Sequence, residues 1–205
     1  MTHPALDLIR QRVSANRFDP THTLDDTAIH ELVFHAGEAP SCYNLQNWRF
    51  VAVRSAARKS ALMALAYDQE KVVDAAVTFI VCGVLEPERG IRAAMQPFRD
   101  DGHIDREVLE QWVEETTSAY RDKPGKQRDE AIRSASLAAM NLMIAAQAMG
   151  LASGPMGGFD AAGVSADFGL AATEIPVMLI AVGRAAPGNW PRKRRRPVDQ
   201  LLSIV

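Results

Sequence analysis

Two short segments near opposite ends of the chain concentrate cationic and hydroxyl donors. "RQRVSANRF" holds Arg10, Arg12, Ser14 and Arg17, and "PRKRRRPV" holds Lys193 to Arg196. Guanidinium and ammonium groups beside a hydroxyl suit a phosphate dianion, because charged donors make short, strong hydrogen bonds to its oxygens. A phosphate bound between them would give two distant basic segments a reason to meet. "GLASGPMGGFD" can bring backbone N–H groups close to a flat ring, since glycine has no Cβ in the way. "APSCYNLQNWRF", Ala39 to Phe50, spends Ser41, Cys42, Tyr43, Asn44, Gln46 and Asn47 almost consecutively. A turn needs far fewer hydrogen-bonding side chains. Such a loop could read the edge of that ring.

Other patterns carry less. "HELVFH", His30 to His35, looks like a zinc-protease motif, but its His residues stand five apart rather than four. At about 100° per residue they lie roughly 140° apart around a helix. Solvated helix histidines are expected there, and no metal site. Cys42 could be a nucleophile, but nothing in the sequence places a histidine beside it. Cys82 sits in an apolar run and reads as core. "GPMGGFD" fits neither the dinucleotide nor the P-loop fingerprint. On its own a helix-ending glycine turn explains it about as well as a ligand does. The basic run Arg192 to Arg196 has little aromatic interleaving, and the chain has a net charge of −2, so no nucleic-acid partner is expected.

The elements that must position these groups follow from periodicity. Leu6, Leu8, Ile9 and Val13 predict a first helix ending near Ser14. Asp25 or Asp26 can cap a second, with Ile29, Leu32 and Val33 at helical spacing. "WRFVAV", Trp48 to Val53, predicts a strand, and a helix follows over about Ala56 to Tyr67. Ala75 to Val84 is a nearly continuous apolar run, as in a strand covered on both faces. Residues 86–126 are highly charged, with weaker helix patterns at Ile91–Phe98 and Val108–Tyr120. Residues 129–149 read as one long helix, apolar on most sides, suited to a core or a subunit interface. A glycine-rich loop at 151–160, a short helix at Ala161–Phe168 and the strand "PVMLIAVGR" precede a basic, Pro-rich tail. Helices outnumber irregularly spaced strands, which predicts an α+β fold.

The 205 residues fit a single domain, and a hydrophobic fraction of 47% can fill its core. No apolar run reaches the roughly 18 residues of a membrane span. The start of the chain shows no signal-peptide core, and the two cysteines show no disulfide pattern. A cytoplasmic location without membrane association is the expectation.

Taken in order, these segments resemble the FMN-dependent nitroreductase family of NAD(P)H-dependent flavin oxidoreductases, over nearly the whole chain. "RVSANRFD" resembles its Arg-x-Ser phosphate segment, and "APSCYNLQNWRF" its Pro-Ser-x-x-Asn-x-Gln-Pro-Trp loop. "YDQEKVVDAAVTFIV" resembles the segment whose polar side chains reach the flavin. "GLASGPMGGFD" resembles the loop facing flavin N5, and "KRRRP" the closing Lys-x-Arg-x-Pro phosphate segment. The resemblance implies an α+β nitroreductase-like fold with a central mixed or antiparallel sheet flanked by helices. It implies one domain over residues 1–205, with a variable helical excursion at about 86–126 covering the active site. It also implies a homodimer with shared active sites and the long helix at its interface.

Carried over residue by residue, the resemblance has Arg12, Ser14, Lys193 and Arg195 hold the FMN phosphate, with Asn16 beside them. Gln69 and Lys71 approach the pyrimidine side of the ring. Pro155, Met156, Gly157 and Gly158 form the loop at N5, with the Gly157 N–H facing it. Pro40, Ser41 and Asn44 line the ring from the partner subunit, with Cys42 as their neighbour. The implied activity is ping-pong reduction of nitroaromatics, quinones or similar small acceptors by NADH or NADPH. Lys71 would stabilise charge on the reduced flavin, whose own chemistry does the redox work. The alternative is a flavin-binding redox sensor, or a specialised flavin enzyme on the same scaffold. Three positions depart from the pattern. Asn16 stands where the family often has Arg or Lys, Asn47 replaces the Pro of Gln-Pro-Trp, and Gly157 stands where some relatives carry Glu.

Overall fold

The computed structural model describes residues 3–205. Helix α1 (Pro4–Gln11) ends three residues before Ser14 rather than at it. The residues beyond it are drawn into extended pairing: Ser14 bridges Ser153, and Ala15 N donates to Ser153 O at 2.9 Å. Asp25, not Asp26, caps α2 (Asp26–Gly37), its carboxylate accepting from Ala28 N at 2.8 Å. Strand β1 (Trp48–Val53) has the expected bounds. Helix α3 (Ala56–Leu65) stops short of Tyr67, because Tyr67 and Asp68 take left-handed φ values of 54° and 55°. A four-residue helix follows, α4 (Lys71–Asp74), too short to leave a periodic pattern. Strand β2 (Val77–Val84) leads to the charged region, where α5 (Ile91–Asp100) and α6 (Arg106–Tyr120) both form. Helix α7 (Pro124–Ala148) starts earlier than residue 129 because Pro124 suits a first helical turn, where its missing N–H costs nothing. Strand β3 (Ala152–Met156), α8 (Ala161–Asp167) and β4 (Glu174–Gly183) complete the main elements.

The sheet is wholly antiparallel in its ladders, in the order β1-β2-β4-β3. Strand β3 corrects the expectation of a loop at 151–160. "ASGPM" reads as a turn, but both breakers have reasons to sit in a strand. A Cβ at Gly154 would collide with the Ala15 carbonyl oxygen, so only glycine lets the N-terminal segment pair here. Pro155 lacks an N–H, which an edge strand such as β3 tolerates.

Side chains alternate across the sheet. Phe79 and Val81 of β2, with Ile180 and Val182 of β4, face Leu32 of α2 and Ala135, Ala139 and Leu142 of α7. Ile80, Cys82 and Leu179 point the other way, onto Leu62 of α3, Val72 of α4 and Val164 of α8. Helices on both faces explain why β2 reads as a continuous apolar run. Cys82 is core, as expected, and burial pushes its thiol up to about 12. A Cβ at Gly83 would lie 2.6 Å from the Ala131 carbonyl oxygen, so α7 packs directly on the β2 backbone. A third cluster, Leu45, Ile91, Met95, Leu109 and Tyr120, joins α5 and α6 to the polar loop before β1.

Candidate functional site

The chain ends converge beside β3. The segment after α1 is paired on both sides. Ser14 bridges Ser153, while Phe18 bridges Ala185 just past β4. Asp19 N donates to Arg184 O at 2.9 Å, and Ala186 N to Arg17 O at 3.1 Å. Asn189 closes the junction. Its Oδ1 accepts from the backbone N–H groups of Asn16 and Arg17 at 2.7 and 3.0 Å. Its Nδ2 donates to the carbonyls of Arg17 and Ala186 at 2.8 and 2.9 Å. Main-chain pairing and one amide therefore join the first basic segment to residues 184–189, which lead into the basic tail. Asn189 was not singled out from the sequence, since an Asn in "PGNWP" looks like any turn residue.

The junction opens into a pocket of about 190 Å³. Arg12, Ser14, Asn16, Lys71, Pro155, Lys193 and Arg195, all expected at the site, line it together. Trp190 and Arg192 line it too; Arg192 belongs to the basic run noted in the sequence, whereas Trp190 was not singled out. Five side chains in this lining are cationic, and none is acidic. Burial, then the charges of Arg195 and Arg192, lower the Arg12 pKa. Burial also lowers that of Lys71. Both shifts mean the pocket disfavours its own charge, and a bound anion would reverse them. Internal contacts hold the cations in place. Arg12 Nη1 donates to Ser14 Oγ at 3.4 Å, and Lys71 Nζ to Asn16 Oδ1 at 3.2 Å. The Lys193 ammonium lies 4.9 Å from the Trp190 ring centre, a cation–π contact. Asn16 thus replaces a charge with an acceptor that orients Lys71.

Gln69 does not line this pocket. Its Nε2 donates to Ala66 O and Gly158 O, both at 2.9 Å, and so ties the turn before α4 to the loop after β3. Around Gly157 a Cβ would meet nothing within 4 Å, so the main chain there is open to a neighbour. Met156 differs from the expectation: its side chain is 5% exposed and packs in the core, leaving only its backbone for a ligand. Pro40, Ser41, Cys42 and Asn44 stand apart from the cationic pocket. Ser41 Oγ accepts from Gln46 N at 2.9 Å, and Tyr43 OH donates to Glu115 Oε2 on α6 at 2.9 Å. Much of this loop's polarity therefore serves the loop itself. Asn47 is explained in the same way. Its Nδ2 donates to Val84 O at 3.2 Å while its carbonyl accepts from Val84 N at 2.9 Å, which extends the β1–β2 pairing.

Of the seven described non-glycine residues with positive φ, five lie in two loops: Tyr43, Asn44 and Gln46, then Tyr67 and Asp68. Left-handed backbone at such residues is strained and persists where the surroundings enforce it, often at binding sites.

An antiparallel sheet with helices on both faces defines an α+β protein, and the junction of its N-terminal segment and C-terminal tail carries a cationic pocket suited to an anion. The model of the nitroreductase family matches residues 9–184, and the chain belongs to that family. Protein DrgA of Synechocystis sp. is 36% identical over 97% of this chain and 95% of its own. A Thermus thermophilus NADH dehydrogenase is 30% identical, over 98% and 97% of the two chains. A solved structure from Exiguobacterium sibiricum, in complex with FMN, superposes with a TM-score of 0.90 at 24% identity. It covers 100% of this chain and 99% of its own.

Asn189→Ala removes four hydrogen bonds at the junction without touching a cation. Each such bond contributes about 1 kcal/mol. The expected result is binding of inorganic phosphate, used as a probe of the pocket, weakened by about tenfold, with the cations intact but less well placed. A calorimetric titration measures it, and unchanged affinity would mean that Asn189 does not organise the pocket.

Proposed function

We propose that the protein is an FMN-dependent oxidoreductase that takes reducing equivalents from NADH or NADPH and delivers them to nitroaromatics, quinones or similar small acceptors. The observation that carries this reading is the pocket where five cations meet without a carboxylate. Its size and donor set fit a phosphate monoester, and residues that resemble a flavin-facing loop lie just beyond it. The Thermus relative, an NADH dehydrogenase, and the FMN of the Exiguobacterium structure support the same reading.

When bound, FMN supplies hydride acceptance and donation at N5. In this reading the chain's own groups bind, orient and stabilise. Arg12, Ser14, Lys193 and Arg195 grip the phosphate, and Arg192 adds to the field. Lys71 offers its ammonium to negative charge that develops on the pyrimidine edge, as a preorganised electrostatic partner. Gly157 offers a backbone N–H to N5, and Gly158 leaves room for a flat ring. One cleft serves reductant and acceptor in turn, which gives ping-pong kinetics. Helices α5 and α6 cover that cleft and tune the choice of acceptor.

The assembly is a homodimer in this proposal, with Pro40, Ser41, Cys42 and Asn44 serving the partner's flavin. Two surfaces support it. Leu137 and Met140 of α7 and Phe34 of α2 are large apolar side chains left exposed. The C-terminal tail also exposes Leu201, Leu202, Ile204 and Val205, while β1 is an unpaired sheet edge beside an apolar groove. An exposed apolar tail and an open edge suit each other in a pair of chains. Among the described residues no helix is long and apolar enough to cross a membrane. The cytoplasm remains the proposed location.

Anaerobic mixing with NADH or NADPH should bleach the bound flavin rapidly, and a quinone should restore its colour. Lys71→Met should slow the bleaching by about tenfold while FMN stays bound. No bleaching with either nucleotide would contradict the reductase reading, and unchanged rates in the variant would contradict the role of Lys71. Sedimentation should show one species of about twice the 22.4 kDa chain mass. A monomer that binds FMN normally would overturn the shared site.

A further inference from the structure

A four-residue helix cannot satisfy its own terminal carbonyls. Helix α4 is that short, yet Lys71 stands at its first position in a pocket crowded with cations. An ammonium at a helix N-terminus opposes the helix dipole, and burial disfavours its charge. Other contacts must hold α4 in place. Ala75 N closes a single turn onto Lys71 O at 3.2 Å. Val72 is fully buried beneath it. Three further carbonyls near its C-terminal end are taken by side chains from other elements. Thr78 of β2 donates Oγ1 to Val72 O at 3.1 Å. Lys59 of α3 donates its ammonium to Val73 O and to Ala75 O, both at 2.7 Å.

We infer that Lys59 is a positioning residue of the flavin site: its ammonium grips the C-terminal carbonyls of α4 and thereby fixes where Lys71 stands. This rests on the reading of Lys71 as the electrostatic partner of the flavin. The two lysines occupy opposite ends of one helical turn. A cation at the carbonyl end complements the dipole that Lys71 opposes at the other. Burial lowers the Lys59 pKa, an effect that the nearby Asp74 charge counters. A solvated lysine would avoid that cost. The helix is short and its first residue lines the pocket, so loss of either carbonyl grip lets Lys71 shift from its place beside Asn16.

A double-mutant cycle on the intact holoprotein tests this. The quantity is the preference of the site for reduced over oxidised FMN, read from the flavin midpoint potential. Lys71→Met lowers this preference by about tenfold, as expected on losing a charged partner. That corresponds to about 30 mV for a two-electron couple. Lys59→Met lowers the same preference by about threefold, and adds nothing once Lys71→Met is present. Thr78→Val, nearly the same shape, removes a second grip on α4. It gives a smaller loss with the same dependence on Lys71, and serves where Lys59→Met does not fold. A Lys59→Met shift that persists at full size in the Lys71→Met background would overturn the inference. So would no shift from Lys59→Met and Thr78→Val while Lys71→Met has one. If Lys71→Met itself changes nothing, the reading of Lys71 fails first, and the inferred role of Lys59 goes with it.

Discussion

Arg12, Lys71, Arg192, Lys193 and Arg195 repel one another, and much of the surrounding structure serves to keep them together. Arg12 and Lys71 are half-buried while Arg192, Lys193 and Arg195 are exposed, so solvent screens part of this repulsion and the half-buried Arg12 feels it most. Neutral interactions provide the counterweight. The segment at 14–19 is paired to β3 on one side and to residues 184–186 on the other. Asn189 adds four hydrogen bonds, and Trp190 lies beneath the Lys193 ammonium. A bound anion would offset the cost that burial and its neighbours impose on the Arg12 charge. That links the topology of the sheet, which brings residues 14 and 153 side by side, to the chemistry of the site.

The same logic extends to the loops. Tyr67 and Asp68 adopt left-handed backbone so that the chain can turn from α3 into α4 and aim Lys71 at the pocket. Gln69 then fastens that turn to Gly158, and Asp160 N donates to Leu65 O at 2.8 Å. The cation, the glycine loop and the helix that carries the cation form one connected unit. The polar loop before β1 belongs instead to α5 and α6, through Tyr43, Leu45 and Glu115. Family membership fixes a scaffold more firmly than a substrate.

Elements with long, clean periodicity were legible in the sequence. The apolar runs of β2 and β4 and the long helix α7 announce themselves because many residues repeat one pattern. That Arg12, Ser14, Lys193 and Arg195 share one pocket was legible from their clustering near both chain ends, while Lys71 and Pro155 were placed there by the family resemblance. What stayed hidden depends on contacts distant in sequence. Strand β3 looks like a loop because Gly154 and Pro155 are breakers, and only the approach of Ala15 and an edge position make them fit. Helix α4 owes its existence to donors from α3 and β2. Asn47 and Asn189 are single amides whose value lies in partners 37 and 173 residues away, a separation no local pattern encodes.

FMN and riboflavin share a ring and a ribityl chain and differ in the phosphate. Comparing their affinities for the apoprotein across a range of salt isolates what the cationic pocket contributes. FMN should bind about a hundredfold more tightly at low salt, with the gap narrowing as salt screens the charges. Equal affinity for the two, or a gap that salt leaves unchanged, would contradict the assignment of the pocket to a phosphate.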